Sequence, residues 1–525
     1  MKKRKIVSKI LLESNLKGDV DVMYIAGQKE MQLMDQYTME KLGLPGIVLM
    51  ENAGAAVVNE VLKDFPNRTT NVLVLAGGGN NGGDGFVIAR RLIDFGYDVT
   101  LMLAVAEQSL KGDAKLHYEV YKNRQLPIVK AENVDMKKAN VIIDALLGTG
   151  VQGEVREPFY SLIKAVNETP VFVYAVDVPS GVNANTGEVA NVAIRANKTI
   201  TFVVPKKGFY LQQGPQFVGD IVCADISVPV SLVQTLELDL PQCITHELGK
   251  GAVRKRIAHG HKGTFGHVLV IGGCKSYVGA PMYTAKAAFH SGAGLVTLAV
   301  PETIYPIVAS QCPESLLLPL EDEMGSIATQ SFLTSEIDFS SYRTIAFGPG
   351  LGRQTDGESL LRQLLAKLSG QPLIIDADGL YFARDLLEEL RQYEGDVILT
   401  PHPGEMAHLT RLTVEEIEKN RLAVAKQFAQ DYGVYLLLKG HRPIITAPDG
   451  KQFINPFGND ALGKGGSGDV LTGFIASFIA QGTSTADALI AASYYHASAA
   501  EQVGKELSNY GVTPLDIVEY VRKVL

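Results

Sequence analysis

The amino-acid sequence predicts an α/β protein of two doubly wound domains, each a mostly parallel sheet with helices on both faces. Three observations carry that reading. Short apolar runs alternate with stretches of helical spacing along nearly all of the 525 residues. The runs are apolar throughout rather than at every second position, the pattern of parallel strands covered on both faces. The alternation lapses once, in VPVSLVQTLELDLPQCITHELGK around 228–250, and then restarts, as expected where one domain gives way to another.

Taken in order, residues 1–22 read as an extension ahead of the folded chain. They are basic at the start, but the apolar run Ile10–Leu12 is too short for a signal peptide, and Met23 is a plausible alternative start. The first domain is expected over 23–236. There NVLVLA from Asn71 reads as a strand ending in glycines, and Phe86–Phe95 as a helix stopped by Gly96. Further strands are expected from Asp98, Asn140, Pro170 and Lys198. The second domain is expected over 237–525, with strands from His267, Gly294, Thr344, Pro372, Asp396, Gly433 and Arg442. Pro448–Gly450 is a turn signal, so this sheet is expected to carry an antiparallel hairpin at its end. Two long helices close the chain, one from near Val470 and one from Ala486.

Composition narrows the function classes. Apolar residues are 46% and charged residues 20%, ordinary for a globular protein, and the net charge of −8 argues against a general nucleic-acid binder. Four cysteines show no CxxC pair or metal spacing and read as idle thiols in a reducing compartment. No uncharged apolar run approaches the roughly 18 residues of a membrane span. A cytoplasmic location, with neither membrane nor nucleic-acid partners, is the expectation.

Ligands of open parallel sheets bind beyond the carboxyl ends of the strands, so the turns after each apolar run are the place to look. In the second half, GGSG at 465–468 leads through Asp469 into an apolar helix. Free amides at a helix N-terminus suit phosphate oxygens, and a carboxylate beside them can take a hydroxyl proton. A Gly-rich turn capped by an aspartate is the plainer reading of that stretch alone. Four more strand ends tilt the balance: GPGLG at 348–352, DADG at 376–379, TPHPGE at 400–405 and KGHRP at 439–443. Together they make a nucleotide-plus-substrate cleft the better reading. GxxxxGK[ST] is missing here, so this is no P-loop. Gly466–Asp469 instead resembles the Gly-x-Gly-Asp motif of the ribokinase-like superfamily.

In the first half, Met50–Gly54, GGGNNGGDG at 77–85, DALLGTG at 144–150 and DVPSG at 177–181 follow successive runs. The Gly-rich stretch is not the GxGxxG fingerprint of a dehydrogenase. Asn81, Asp144 and Ser180 offer hard oxygens from three loops, suited to a simple cation, and the lesser alternative is that Asn80 and Asn81 merely shape a tight turn.

In combination and in this order, the motifs over about 23–525 resemble the bifunctional NAD(P)H-hydrate repair family, an epimerase domain fused to an ADP- or ATP-dependent dehydratase. The resemblance implies a Rossmann-like first domain of the YjeF N-terminal type and a ribokinase-like second domain. It implies the substrates NADHX and NADPHX, nicotinamide cofactors hydrated across the 5,6 double bond, and an adenine nucleotide as co-substrate. It implies K+ in the epimerase at Asn81, Asp144 and Ser180, Mg2+ in the dehydratase, and a homo-oligomer. Substrate-binding positions carried over are Asn80, Asn81, Gly82, Gly83 and Asp84, then Gly148, Thr149, Gly150, Val151, Gln152, Gly153 and Glu154, with Asp177. In the second domain they are Ala280, Gly350 and His402. Nucleotide-binding positions are Lys439, Gly440, His441, Arg442 and Pro443, with Gly466, Ser467 and Gly468. Asp469 is implied as the base that activates the 6-hydroxyl, and Asp144 as the acid/base of epimerisation. Two rivals stand beside this reading: a ribokinase-type small-molecule kinase, and a first domain that only binds or scaffolds.

Overall fold

The computed structural model describes residues 22–131, 134–353 and 356–525. The expected extension lies outside the described residues apart from Val22. The chain forms two compact units that divide between Leu240 and Pro241.

The sheet of the first unit has seven strands among the described residues: β1 (Asn71–Ala76), β2 (Asp98–Leu103), β3 (Ile128–Val129), β4 (Val141–Ala145), β5 (Phe172–Val176), β6 (Lys198–Phe202) and β7 (Asp220–Ala224). They lie in the order β3-β2-β1-β4-β5-β6-β7, every pairing parallel. The chain winds outward from β1 one way, returns, and winds the other way from β4. Beyond the carboxyl ends of β1 and β4 the crossovers part, leaving the crevice where such sheets bind ligands. Register sets Leu75 beside Asp144, which brings the loops after both strands to one level. Helices α1 (Gln28–Glu40), α2 (Gly46–Asp64), α3 (Asn80–Asp94), α4 (Gly112–Asn123) and α5 (Phe159–Glu168) belong to this unit. Its core is apolar on both sides of the sheet, with Val72, Val74, Ile143 and Val176 beside the rings of Phe86 and Tyr174 in one cluster and Leu73, Leu75, Ile142 and Val173 in the other.

One departure from expectation concerns GGGNNGGDG. It is not a loop for most of its length, since α3 already begins at Asn80. The glycines are required by close approach. A Cβ on Gly82 would stand 1.9 Å from the Gly77 carbonyl oxygen, and one on Gly83 2.4 Å from the Met50 sulfur. The same holds at Gly77, where a Cβ would lie 1.8 Å from the Leu146 carbonyl oxygen. The helix thus starts pressed onto the sheet end, at a cost in glycine helix propensity that only this proximity explains.

The second unit carries β8 (Gln242–Cys243), β9 (His267–Ile271), β10 (Leu295–Pro301), β11 (Leu316–Leu320), β12 (Thr344–Phe347), β13 (Leu373–Ile375), β14 (Val397–Leu399), β15 (Tyr435–Leu438), β16 (Ile444–Thr446) and β17 (Gln452–Ile454). From β8 the order is β8-β17-β16-β15-β14-β13-β12-β9-β10-β11. Pairings from β15 through β14, β13, β12, β9 and β10 to β11 are parallel. β16 runs antiparallel to both β15 and β17, so the hairpin turning at Pro448–Gly450 is present. Winding reverses between β9 and β12. Helices α6 (Gly279–His290), α7 (Gly357–Lys367), α8 (Asp378–Ala383), α9 (Pro403–Thr410), α10 (Arg421–Tyr432), α11 (Ser467–Ala480) and α12 (Thr485–Leu507) complete the elements used below. α11 is buried at every position from Val470 to Ala480. It crosses α6 closely, because a Cβ on Gly473 would sit 2.3 Å from the Thr284 carbonyl oxygen. That crossing fixes the N-terminus of α11 against the sheet.

Among the described residues no helix is long and apolar enough to cross a membrane. All four cysteines are free thiols.

Candidate active sites

In the first unit, Asp144 ends β4 fully buried, with three donors on its carboxylate. Oδ1 accepts from Ser180 Oγ at 2.6 Å and from the Leu146 amide at 3.2 Å, and Oδ2 accepts from the Ser180 amide at 2.8 Å. Asn81, in the first turn of α3, donates from Nδ2 to the Leu147 carbonyl at 2.9 Å. The Leu147 amide in turn donates to Ser180 Oγ at 2.8 Å. Asn81, Asp144 and Ser180 are therefore one hydrogen-bonded set. Burial pushes the Asp144 carboxyl up to about 6, opposed only by these hydrogen bonds and by no charged neighbour.

Asn80, Gly82, Gly83 and Asp84 share that first stretch of α3. Asp84 is buried, and burial, followed by the charges of Asp177 and Asp35, holds its carboxyl well above the usual range. The segment from Gly148 to Glu154 is a loop beyond β4, half-buried to Thr149 and exposed at Gly150 and Gln152–Glu154. Asn183 ties it down by donating to the Val151 carbonyl at 3.3 Å. Asp177, just past β5, has a left-handed backbone (φ 60°) and accepts from Lys206 Nζ at 2.6 Å. Lys206 is 0% exposed and also meets Thr201 Oγ1 at 2.8 Å and the carbonyls of Phe202 and Val204 at 3.0 and 3.3 Å. Asp35, on α1, is pushed up to about 6 by burial, with Lys206 pulling the other way. Lys206 and Asp35 were not among the sequence candidates. Lys206 was findable as a lysine just beyond a strand's carboxyl end, whereas Asp35 sits within a helix that carries no motif.

In the second unit, Gly466 caps α11 with a left-handed backbone (φ 93°), where a Cβ would meet the Tyr283 ring at 2.8 Å. The helix starts at Ser467, three residues before the expected Val470, which places Gly468 and Asp469 in its first turn. A Cβ on Gly468 would lie 3.4 Å from Lys439 Nζ. Lys439, at the end of β15, donates to Asp376 Oδ1 at 2.8 Å and stands 3.7 Å from Glu405 Oε2. Asp376 Oδ2 accepts from Thr472 Oγ1 at 2.8 Å. Burial works to raise Asp376, but the Lys439 ammonium outweighs it and holds the carboxyl below its ordinary value. Burial opposes charge on Lys439 as well, and Asp376 and Glu405 outweigh it, so the ammonium is held. The remaining carboxylates are left with the surplus. Burial, then Asp376, pushes Asp469 up to about 7. Burial, offset in part by Lys439, pushes Glu405 up to about 7.

His402 caps α9, and its Nδ1 accepts the amides of Gly404 and Glu405 at 3.0 and 3.2 Å, so the ring proton sits on Nε2. Glu405 Oε2 returns the bond by accepting the His402 amide at 2.7 Å, a reciprocal cap that fixes both side chains. Burial, then Lys439, lowers the imidazole's basicity and keeps it neutral. Gly440, His441, Arg442 and Pro443 continue from Lys439. Gly440 has φ 147°, and a Cβ there would lie 2.7 Å from the Arg421 guanidinium, which donates to the Leu438 and Lys439 carbonyls at 3.2 and 3.0 Å. Arg442 donates to the Pro456 carbonyl, and Pro443 accepts the Asn455 amide at 2.9 Å. Ser467 Oγ lies 3.1 Å from His496 Nε2, an imidazole that burial lowers to about 4. Ala280 and Gly350 form a separate edge, where a Cβ on Gly350 would come 2.9 Å from the Ala280 Cβ. Asp376 and Glu405 lay in motifs quoted from the sequence without being singled out there, because nothing local tells a buried ion-pair partner from a turn residue.

The NAD(P)H-hydrate dehydratase family matches residues 268–523, and the family described as YjeF-related protein N-terminus matches residues 46–208. The bifunctional NAD(P)H-hydrate repair enzyme Nnr of Moorella thermoacetica is 34% identical over 514 residues, 96% of this chain and 97% of that protein. The enzyme of the same name from Escherichia coli is 32% identical over 92% of this chain and 90% of its own length. Among solved structures, the ADP/ATP-dependent NAD(P)H-hydrate dehydratase from Bacillus subtilis, co-crystallised with ATP/Mg2+, is 30% identical over 55% of this chain and 98% of that one, with a TM-score of 0.48.

Proposed function

The chain belongs to the bifunctional NAD(P)H-hydrate repair enzyme family, and from that premise we propose how its two clusters divide the work. We assign epimerisation of R- and S-NAD(P)HX to 23–236 and nucleotide-dependent dehydration of the S epimer to 237–525. The matched segments 46–208 and 268–523 fall inside those spans, which supports the division.

For dehydration the supporting observation is Asp469 in the first turn of α11, beside Lys439 and the amides of the glycine cap. Hydroxide is a poor leaving group and phosphate a far better one. The 6-hydroxyl oxygen attacks the terminal phosphoryl group of ADP or ATP, its proton passes to Asp469, and AMP or ADP leaves. Loss of phosphate from C6 and of a proton from C5 restores the double bond. Amides of Gly466 and Gly468 face the charge on the phosphoryl oxygens, Ser467 joins them as part of the same turn with its amide on the Lys464 carbonyl at 3.2 Å, and Lys439 to Pro443 hold the nucleotide. Ala280, Gly350 and His402 line the substrate side. Magnesium fits here, because Asp469 and Glu405 sit among carboxylates whose repulsion one lysine only partly offsets. We assign its protein contact to Glu405; when bound, it supplies positive charge to the nucleotide phosphates.

For epimerisation, Asp144 is the acid/base at C6, and Asn80–Asp84, Gly148–Glu154 and Asp177 bind the substrate. Potassium fits Asn81, Asp144 and Ser180, since the donors are hard oxygens and the buried Asp144 has no cationic neighbour. When bound, it offsets that buried charge.

The test mixes purified protein with racemic NADHX, Mg2+ and K+, with ADP or ATP in parallel, and follows the near-ultraviolet absorbance of NADH. Recovery of the whole pool in the fast phase is expected. A plateau at half removes the epimerase assignment, and a stable phosphate ester in place of NADH makes the chain a kinase.

The same assignment sets a pH dependence. Asp469 must be ionised to accept the proton, and its carboxyl is raised to about 7. We expect kcat/KM for dehydration to climb about tenfold per pH unit on the acid side and to level off above about 7. A profile flat from pH 5 to about 8 counts against Asp469 as base.

A further inference from the structure

The second unit contains a cavity of ≈ 480 Å³ to which the scheme above gives no task. It is walled by Cys274–Tyr277 beyond β9, by Met324–Ser326, by Gly352 and Arg353, and by Asp378. It adjoins the substrate edge, since a Cβ on Gly350 would lie 2.8 Å from the Tyr277 carbonyl oxygen and 2.9 Å from the Ala280 Cβ.

Its polar lining is arranged for an anion. Arg353 is held along one edge by Asp378, with Nε to Oδ1 at 3.1 Å, and on its face by the Tyr381 ring, 4.4 Å from guanidinium carbon to centroid. Tyr381 is itself stacked on His408, with centroids 4.4 Å apart and planes at 10°. The guanidinium is therefore oriented by two contacts although its side chain is 57% exposed, and its terminal N–H groups have no hydrogen bond or ion pair among the described residues. Asp378 does not oppose an incoming anion with a free oxygen, because Oδ2 accepts the Gly352 amide at 2.9 Å and Oδ1 takes Arg353. Across the cavity the Lys275 amide donates to the Gly325 carbonyl at 2.7 Å, and the Lys275 stem lies over Gly325. The Lys275 ammonium has no ion pair among the described residues. Ser276 and Ser326 add hydroxyls. The mouth is flanked by Tyr277, 57% exposed, and by Met324, 86% exposed at a left-handed tip with φ 54°. Two cations, two hydroxyls, an exposed ring and an exposed thioether are what a phosphate joined to a planar base requires, and the volume lies within the ordinary range for such ligands.

We propose that this cavity seats the adenosine-phosphate half of the hydrated dinucleotide, with Lys275 and Arg353 on a phosphate and Tyr277 and Met324 covering the base. The proposal rests on the assignment of the adjoining Asp469 site to NAD(P)HX dehydration. The phosphate has two sources: the pyrophosphate common to NADHX and NADPHX, and the 2′-phosphate carried by NADPHX alone.

The test uses the full-length protein with K275E and K275R. KM and kcat are measured for S-NADHX, S-NADPHX and ADP, and equilibrium binding is measured for NADH and NADPH as probes that need no turnover. K275E is expected to raise KM for the hydrated dinucleotide about tenfold or more, through KM rather than kcat, while KM for ADP stays put and K275R restores most of the loss. A rise on both substrates identifies the pyrophosphate, and a rise confined to NADPHX identifies the 2′-phosphate; either supports the proposal. Unchanged KM for both substrates overturns it, and so does a rise confined to ADP. Lys275 is exposed on a loop, so loss of fold does not confuse the result. If the wild-type chain turns over neither substrate, the proposed reaction fails, and weaker NADPH or NADH binding by K275E still decides the cavity.

Discussion

D469N is expected to lower the rate of nucleotide-dependent NADH recovery by about 10²- to 10⁴-fold while leaving epimerisation at its wild-type rate. The carboxamide keeps the size of the side chain and removes its ability to take the 6-hydroxyl proton. Nucleotide affinity should change little, because Lys439 keeps its bond to Asp376. Stability supplies a second readout. The folded carboxyl, at about 7, lies above its ordinary value near 3.8. A raised acid of this kind contributes stability that is fully present below its unfolded pKa and is lost as pH rises through the folded one. Between about pH 4 and 7 the wild-type unit therefore loses a contribution that D469N does not lose, and the urea midpoint of D469N should rise relative to that of the wild type as pH rises. Dehydration within about threefold of wild type would remove Asp469 from the base role.

The second large effect concerns Asp144. D144N should abolish the part of NADH recovery that depends on converting the R epimer, leaving a fast phase that stops at half of a racemic pool. Loss of the ionised oxygen removes the acid/base and the charge that would hold potassium, so an epimerisation deficit of about 10²- to 10⁴-fold is expected. The amide nitrogen would also confront one of the donors now satisfied by the carboxylate, either the Ser180 amide or the Ser180 hydroxyl. S180A separates those causes, since it removes the hydroxyl donor and leaves the carboxylate. It should slow epimerisation less than D144N and shift its dependence on potassium. Dehydration of S-NADHX by the same preparation is the internal measure that the chain is folded. A racemate that D144N still consumes completely, at the wild-type rate, would take Asp144 out of the reaction.

Much of the fold was legible because parallel strands covered on both faces leave an unbroken apolar signal, as in NVLVLA and VIIDA. What escaped were edge strands. Leu316–Leu320 reads LLLPL, an apolar run whose Pro319 argues against a central strand, and it lies half open to solvent at the end of its sheet. Asp220–Ala224, at the far edge of the other sheet, is a short run that is likewise half open to solvent. Helix starts were misplaced where glycine suggested a loop. At Asn80 and Ser467 the glycines answer to neighbouring backbone or a packed ring, which a local reading cannot see. In the candidate sites, residues at strand ends could be named from the sequence, and the charged groups they meet could not. Asp376 and Lys439 are 63 positions apart in sequence and 2.8 Å apart in space, and only the sheet order brings them together.

The ion pair of buried Lys206 with half-buried Asp177 constrains how this protein can change over generations. An ammonium enclosed by four oxygens has no room for the fork of an arginine, and methionine in its place would strand the Asp177 carboxylate without its counter-ion. Replacing Asp177 first strands the lysine instead. Each single step removes the direct ionic partner of the other, leaving Lys206 with the charge of Asp35 and Asp177 with the Thr201 hydroxyl and the Phe202 amide, so the two positions form a ratchet in sequence space: drift at either is slowed until both move together, and lineages descending from this chain are expected to retain the pair or to have exchanged it whole.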